Sequence, residues 1–241
     1  MNLVVDIGNT LIKAAIYDDG KLKYLKKYTK LKVSDIKHIA QKYPFEQAIL
    51  SSVRKKHPYF VQHLQDDYHL LILSHKTKVP VTVDYKAPKT LGLDRLAAVV
   101  GAIHVYPGKK VLVIDIGTCM TYDYVDDGNV YHGGNISPGI ELRLRAMHEF
   151  TSNLPLVKRK QHEEMLGKST VHAMQNGAVL GIKLEIDHFI KSLTKKYGRL
   201  MVILTGGDAI YFGDWVESKI FVSPNLVLEG LNHILEYNQI K

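Results

Sequence analysis

Apolar and polar positions fall into two copies of one arrangement. Val4-Val5-Asp6-Ile7-Gly8-Asn9-Thr10 is an apolar strand that ends on a carboxylate and passes into a glycine with small polar neighbours. Val113-Ile114-Asp115-Ile116-Gly117-Thr118-Cys119 repeats it. A second strand follows each copy, over 11–17 and 120–125, and both run into the same turn, Asp18-Asp19-Gly20 and Asp126-Asp127-Gly128. Asp-Gly between strand-like runs is a strong hairpin signal. One Asp-x-Gly motif would carry little weight, but two in the same setting predict a duplicated three-stranded unit.

Between the copies the pattern alternates between helix and strand. Ser34-Asp35 opens a helix with the stripe Ile36, Ile39 and Ala40; strands are expected over 46–53 and 68–73, with a short helix over 59–64 between them. This alternation after a meander indicates α/β layering. Residues 74–92, with Pro80 and Pro88, read as an irregular connection carrying a short strand near 79–83, and a connection of that length suits a binding loop. Leu91-Gly92-Leu93-Asp94-Arg95 opens a helix through Ile103, and Tyr106-Pro107-Gly108-Lys109-Lys110 is the clearest punctuation in the chain. The predicted domains are therefore 1–106 and 107–241.

In the second half, His132-Gly133-Gly134-Asn135-Ile136-Ser137-Pro138-Gly139 reads as a loop whose backbone can approach a ligand. A helix over 140–150 follows, with Leu142, Leu144, Met147 and Phe150 as an apolar edge. Ser169 or Thr170 caps a long helix that Gly198 ends. A strand over 200–204 turns through Gly206-Gly207 into a short helix, and a last helix spans about 226–237.

With 241 residues, 46% apolar and 23% charged, the composition is that of a globular protein, and no apolar run is long enough for a membrane span. The first six residues reach a carboxylate at once, so no secretory signal is expected. Cys119 is the only cysteine, which excludes an internal disulfide and fits a reducing cytoplasm; it is expected to be a buried filler. The net charge of +8 is partly local, with Lys21, Lys23, Lys26, Lys27, Lys30 and Lys32 crowding one strand-like segment. It reads as a solvated sheet face, and no nucleic-acid-binding motif accompanies it.

Gly8 and Gly117 permit tight turns that expose backbone N–H groups to phosphate, and Asn9, Thr10 and Thr118 add side-chain donors. Asp6 and Asp115 would repel phosphate without a cation between them, which implies hard metal ions. Lys13 reads equally as a nucleotide contact or as an exposed strand lysine. Asp94 reads equally as a helix N-terminal acid or, with Arg95, as a catalytic acid–base and anion clamp. Gly167-Lys168-Ser169-Thr170 imitates a phosphate loop, but His162 stands where the pattern needs glycine. The histidines lack His-x-x-x-His spacing with a helical glutamate, so no histidine metal set is expected. Together the two loops and Gly206-Gly207 describe a phosphoryl-transfer site serving two related halves.

Asp6-Ile7-Gly8-Asn9-Thr10, Gly92-Leu93-Asp94-Arg95, Asp115-Ile116-Gly117-Thr118 and the 133–139 glycine motif resemble, in order and spacing, the motifs of type III pantothenate kinase. The resemblance implies an α/β fold of two duplicated ribonuclease-H-like domains, with mixed β-sheets flanked by helices, in the actin-like, acetate-and-sugar-kinase architecture. It implies ATP-dependent phosphorylation of pantothenate to 4'-phosphopantothenate, the first step of coenzyme A biosynthesis. ATP would be bound by Asp6, Ile7, Gly8, Asn9, Thr10, Leu11, Ile12, Lys13 and Thr118. Tyr85, Gly92, Leu93, Asp94, Arg95 and Thr170 would contact pantothenate, with Asp94 as the general base. Asp115 would hold a monovalent cation, potassium or ammonium, while magnesium accompanies ATP. The resemblance also implies a cytoplasmic homodimer with the pantothenate pocket near the subunit interface, and no nucleic-acid or membrane partner. The rival readings are an actin-like ATPase scaffold, a nucleic-acid-binding regulator and a phosphatase on the same fold.

Overall fold

The computed structural model describes residues 1–53 and 59–239. Residues 54–58 and 240–241 of the two predicted domains lie outside these. The first apolar copy forms β1 (Asn2–Ile7), followed by β2 (Ile12–Asp18) and β3 (Lys21–Tyr28), each antiparallel to its predecessor. Then come α1 (Val33–Lys42), β4 (Gln47–Ser52), α2 (Phe60–Asp67) and β5 (His69–Ile72). β4 lies parallel to β1 and β5 parallel to β4, giving the order β3-β2-β1-β4-β5. Period-two alternation divides the central strand between two faces. Leu3, Val5 and Ile7 pack with Ile36 and Ile39 of α1 and with Phe60 and Leu64 of α2. Asn2, Val4 and Asp6 face the other way, where Asn2 donates to Asn232 at 3.0 Å.

The 74–92 connection contains only β6 (Thr82–Val83) and a 3₁₀ turn at Pro88–Thr90 before α3 (Leu93–Val105). The second copy forms β7 (Val111–Ile116), β8 (Cys119–Val125) and β9 (Val130–Pro138). It continues through α4 (Ile140–Glu149), α5 (Thr170–Tyr197), β10 (Met201–Thr205), α6 (Ala209–Gly213) and β11 (Phe221–Val222). The second sheet has the order β11-β10-β7-β8-β9-β6; its first five strands mirror the order of the first sheet, with β10 parallel to β7 and β8 antiparallel to it, and β6 adds an edge strand parallel to β9. Leu112, Ile114 and Ile116 pack with Ile140 and Leu144 of α4 and with Ala178, Ile182 and Ile186 of α5. α7 (Leu226–Tyr237) closes the chain.

Contacts divide the chain into two compact units, Met1–Gly108 with Gly128–His132 and Asn225–Lys241, and Lys109–Asp127 with Gly133–Pro224. The last helix thus belongs with the first unit, although the predicted boundary assigns it to the second domain. The reason lies at its interface with α3. A Cβ on Gly230 would overlap the Ala97 carbonyl, and one on Gly101 would overlap the Leu226 carbonyl, so the two helices meet backbone to backbone. That fit fixes where α7 docks.

Two expectations are corrected. The 132–139 glycine stretch is mostly strand, because a Cβ on Gly134 would overlap the Tyr122 carbonyl of the adjoining β8. Its glycine serves close strand packing. Cys119 is exposed, because the alternation of β8 gives the buried position to Met120.

Candidate functional site

In the first unit the turn after β1 is closed by Gly8 N–H donating to Leu11 O at 3.0 Å. Asp6, at the strand end, lies in register with Lys13 on β2 and with Ser51 on β4. Residues in register share a face, so carboxylate, ammonium and hydroxyl converge there. Asp6 is half-buried, and burial pushes its carboxyl up from 3.8 to about 6, against the lowering effect of Lys13 and with the help of Asp94. Ser51 is buried and its hydroxyl has no hydrogen-bond partner.

Asp94 enters this field from the first turn of α3. Its Oδ1 accepts the Arg95 N–H at 2.9 Å, which leaves Oδ2 for other chemistry. Gly92, the residue before the helix, lies against the same carboxylate: an added Cβ would meet Asp94 Oδ1 at 2.5 Å. Leu93 is half-buried, and the Arg95 side chain is 5% exposed, which is rare for a guanidinium. Tyr85 follows β6 and stacks on buried Tyr131, with ring centroids 6.3 Å apart. Asn9, Thr10 and Leu11 are exposed at the turn, whereas Ile7 and Ile12 are core residues. Those two can offer a ligand only backbone groups.

The second unit repeats the arrangement with different chemistry. Gly117 N–H donates to Cys119 O at 3.1 Å, and Gly139 N–H donates to Thr118 O at 3.0 Å. Asp115 is in register with Thr121 on β8 and with Thr205 on β10, so a hydroxyl stands where the first unit has Lys13. Thr205 is buried and its hydroxyl is unpartnered, as at Ser51. Gly206 has φ +94°, and a Cβ there would overlap Asp115 Oδ1 and the Ile116 carbonyl. Only glycine lets the turn lie on the carboxylate. Asp208 N–H donates to Ile116 O at 3.0 Å, and the Asp208 carboxylate pairs with Arg159, whose guanidinium lies 5.5 Å from the Tyr211 ring centre. Thr118 is exposed on the turn after β7, and Thr170 is exposed as the first residue of α5, whose N-cap Ser169 accepts from His172 N–H at 3.2 Å.

Of the residues singled out from the sequence, Asp6, Lys13 and Asp94 are thus brought into one electrostatic environment. Asp115 lies near the end of β7 and Thr118 on the turn that follows it, whereas Tyr85 sits in the 74–92 connection and Thr170 at the start of α5. Ser51, Thr205, Arg159 and Asp208 escaped the sequence reading. The only signal for the first two was an apolar strand ending on a hydroxyl residue, Leu50-Ser51 and Leu204-Thr205. The residues fit the groups that a kinase needs: two strand-end carboxylates, each with an orphaned buried hydroxyl in register, supply hard oxygen donors for cations.

Comparison with known proteins points the same way. The family model described as type III pantothenate kinase matches residues 2–192. A type III pantothenate kinase of Phocaeicola vulgatus is 44% identical over 239 residues, covering 99% of each chain. That of Christiangramia forsetii is 42% identical over 243 residues, with the same coverage. Among solved structures, component A of the (R)-2-hydroxyglutaryl-CoA dehydratase of Acidaminococcus fermentans superposes with a TM-score of 0.53 at 15% identity, covering 98% of this chain and 96% of that one. That likeness speaks for the fold alone. With the duplicated strand-end carboxylates in place and relatives matching from end to end, the chain belongs to the type III pantothenate kinase family.

Proposed function

We propose that this chain transfers the γ-phosphoryl group of ATP to the primary hydroxyl of pantothenate, giving 4'-phosphopantothenate and ADP in the first step of coenzyme A biosynthesis. Family membership over almost the whole chain supports the reaction. The observation that carries the assignment of roles is the convergence of Asp6, Lys13 and Asp94 on one side of the first sheet.

In this reading Asp94 Oδ2 accepts the hydroxyl proton as the substrate oxygen bonds to phosphorus and the bond to the β-phosphate oxygen breaks. Residues Asp6 to Lys13 hold the phosphates through turn N–H groups and the Lys13 ammonium, and Thr118 adds a second ATP contact. Lys13 offsets one negative charge at the first carboxylate. Asp115 has Thr121 in the equivalent register and suits a monovalent cation, potassium or ammonium. A divalent ion bound with ATP would screen the phosphate charge, and Asp6 at the end of β1 could hold it through its carboxylate. Tyr85, Gly92, Leu93, Arg95 and Thr170 contact pantothenate, with the Arg95 guanidinium suited to its carboxylate.

A homodimer in the cytoplasm completes the reading. One cysteine cannot form an internal disulfide, and no helix among the described residues is long and apolar enough to cross a membrane. The deciding experiment measures ADP release with and without pantothenate, in potassium and in sodium buffers. Release should require pantothenate and should be faster in potassium. Pantothenate-independent release would overturn the assignment.

A further inference from the structure

No helix or strand forms over residues 150–169, between α4 and α5. The end of this connection is tied to the first turns of α5 by buried side chains. Gln175 Nε2 donates to Lys158 O at 2.8 Å, and Asn176 Nδ2 donates to Glu164 O at 2.8 Å and to Met165 O at 3.2 Å. These bonds bring His162 from the connection against His172 from the helix, with ring centroids 3.8 Å apart. One potential ligand atom from each imidazole and one from Glu164 lie within 4.8 Å of one another.

The hydrogen bonds select the tautomer. Because the Gln175 amide nitrogen is committed to Lys158 O, the atom facing His162 Nε2 at 2.7 Å is the carbonyl oxygen Oε1. His162 Nε2 therefore carries the proton, and Nδ1 keeps its lone pair. An outer partner of this kind is what orients metal-binding histidines. His172 Nε2 is buried without any hydrogen-bond partner, an arrangement that costs free energy unless a further group satisfies it. Ligation through His172 Nε2 places the proton on Nδ1 and gives up a long contact from Lys168 N–H at 3.5 Å, which is a small loss.

We infer that His162, Glu164 and His172 form a site for one divalent transition-metal ion of the zinc class, which staples the 150–169 connection to the start of α5. Two imidazole nitrogens and one carboxylate oxygen are the donor set such ions take, and a fourth position remains for water or a ligand. Ligand atoms on bonds of ~2.0–2.1 Å stand roughly 3.3 Å apart in a tetrahedral site. Closure from a separation of up to 4.8 Å needs the three ligand atoms to draw together, and the exposed side chain of Glu164 has room to move. The staple would also fix the helix start that bears Thr170, two residues before His172.

The test uses the full chain, stripped with a chelator and titrated with Co²⁺ as a spectroscopic probe, then with Zn²⁺ in competition. The expected result is visible d–d absorption saturating at one equivalent, displacement by Zn²⁺, and a rise in Tm on the order of 5 °C at saturating metal. Glu164→Gln and His172→Gln should each weaken binding by at least about 10-fold. If His172→Gln fails to fold, Glu164→Gln at the exposed position decides alone. Absence of stoichiometric binding in the unsubstituted chain, or equal binding by Glu164→Gln, would overturn the inference. Neither readout depends on kinase activity, so failure here leaves the proposed reaction standing.

Discussion

Asp6 stands opposite Lys13 and in the field of Asp94, and burial outweighs the lysine in holding its pKa at about 6. A carboxyl whose folded pKa exceeds its unfolded value stabilises the fold at low pH, and that contribution is lost as pH rises through the folded value. For Asp6 the window runs from about pH 4 to about pH 6. A shift of about 2 units at ~1.4 kcal/mol each sets an upper bound of about 3 kcal/mol. Asp6→Asn should therefore raise the urea midpoint of the ligand-free protein at pH 7.5 and change it little at pH 4, while lowering ATP turnover. An equal shift at both pH values would contradict the electrostatic account. Asp94→Asn should cut kcat by ~10²–10⁴-fold, the usual contribution of a positioned base, and leave ATP affinity within about two-fold. Single-turnover rates and nucleotide titrations of the variant measure the two effects separately. The candidate residues were legible in the sequence as Asp-x-Gly and Gly-Leu-Asp-Arg motifs. That Lys13 faces Asp6, and that Ser51 joins them, follows only from strand register, which no motif encodes.

At the scale of elements, the strands and helices follow from local pattern, and their errors follow from packing. The helix over 226–237 is plain in the sequence, but its attachment to α3 depends on Gly101 and Gly230, which no sequence motif marks. Gly230→Ala must push the helices apart and should cost about 1–3 kcal/mol or more. Gly177→Ala is the control, because a Cβ there meets nothing within 4 Å, and it should be neutral or stabilising by up to ~1 kcal/mol. Paired denaturation curves test this, and similar losses in both variants would remove the packing explanation. The 132–139 stretch teaches the same lesson. Glycines that suggest a ligand loop by composition can instead be demanded by a neighbouring strand.

For the whole molecule, the repeated strand order shows a duplicated framework, while the differences between the copies point to divided roles. Lys13 answers Asp6 in one unit and Thr121 answers Asp115 in the other. Part of the basic charge lies on β3, an edge strand whose Lys21, Lys23, Lys26 and Lys27 are exposed. Lysines on an edge strand hinder pairing with another chain, which accounts for them without a nucleic-acid partner. Duplex DNA at ~150 mM salt should accordingly give no retardation in a mobility-shift assay. A complex with micromolar Kd at that salt would reopen the regulator reading.

The sequence by itself determined the duplicated hairpins, the alternation of layers, the family and the motif residues. All of these depend on contacts within a few positions or on ordered short motifs, and they are written into local periodicity. The tertiary structure decided which unit claims α7, which hydroxyls stand beside Asp6 and Asp115, and that Cys119 faces outward. It also brought His162, Glu164 and His172 together, although histidine spacing along the chain had argued against any such set. These outcomes depend on register and on the closing of long connections. There the partner of a residue is fixed by the packing of the whole unit rather than by its neighbours in sequence.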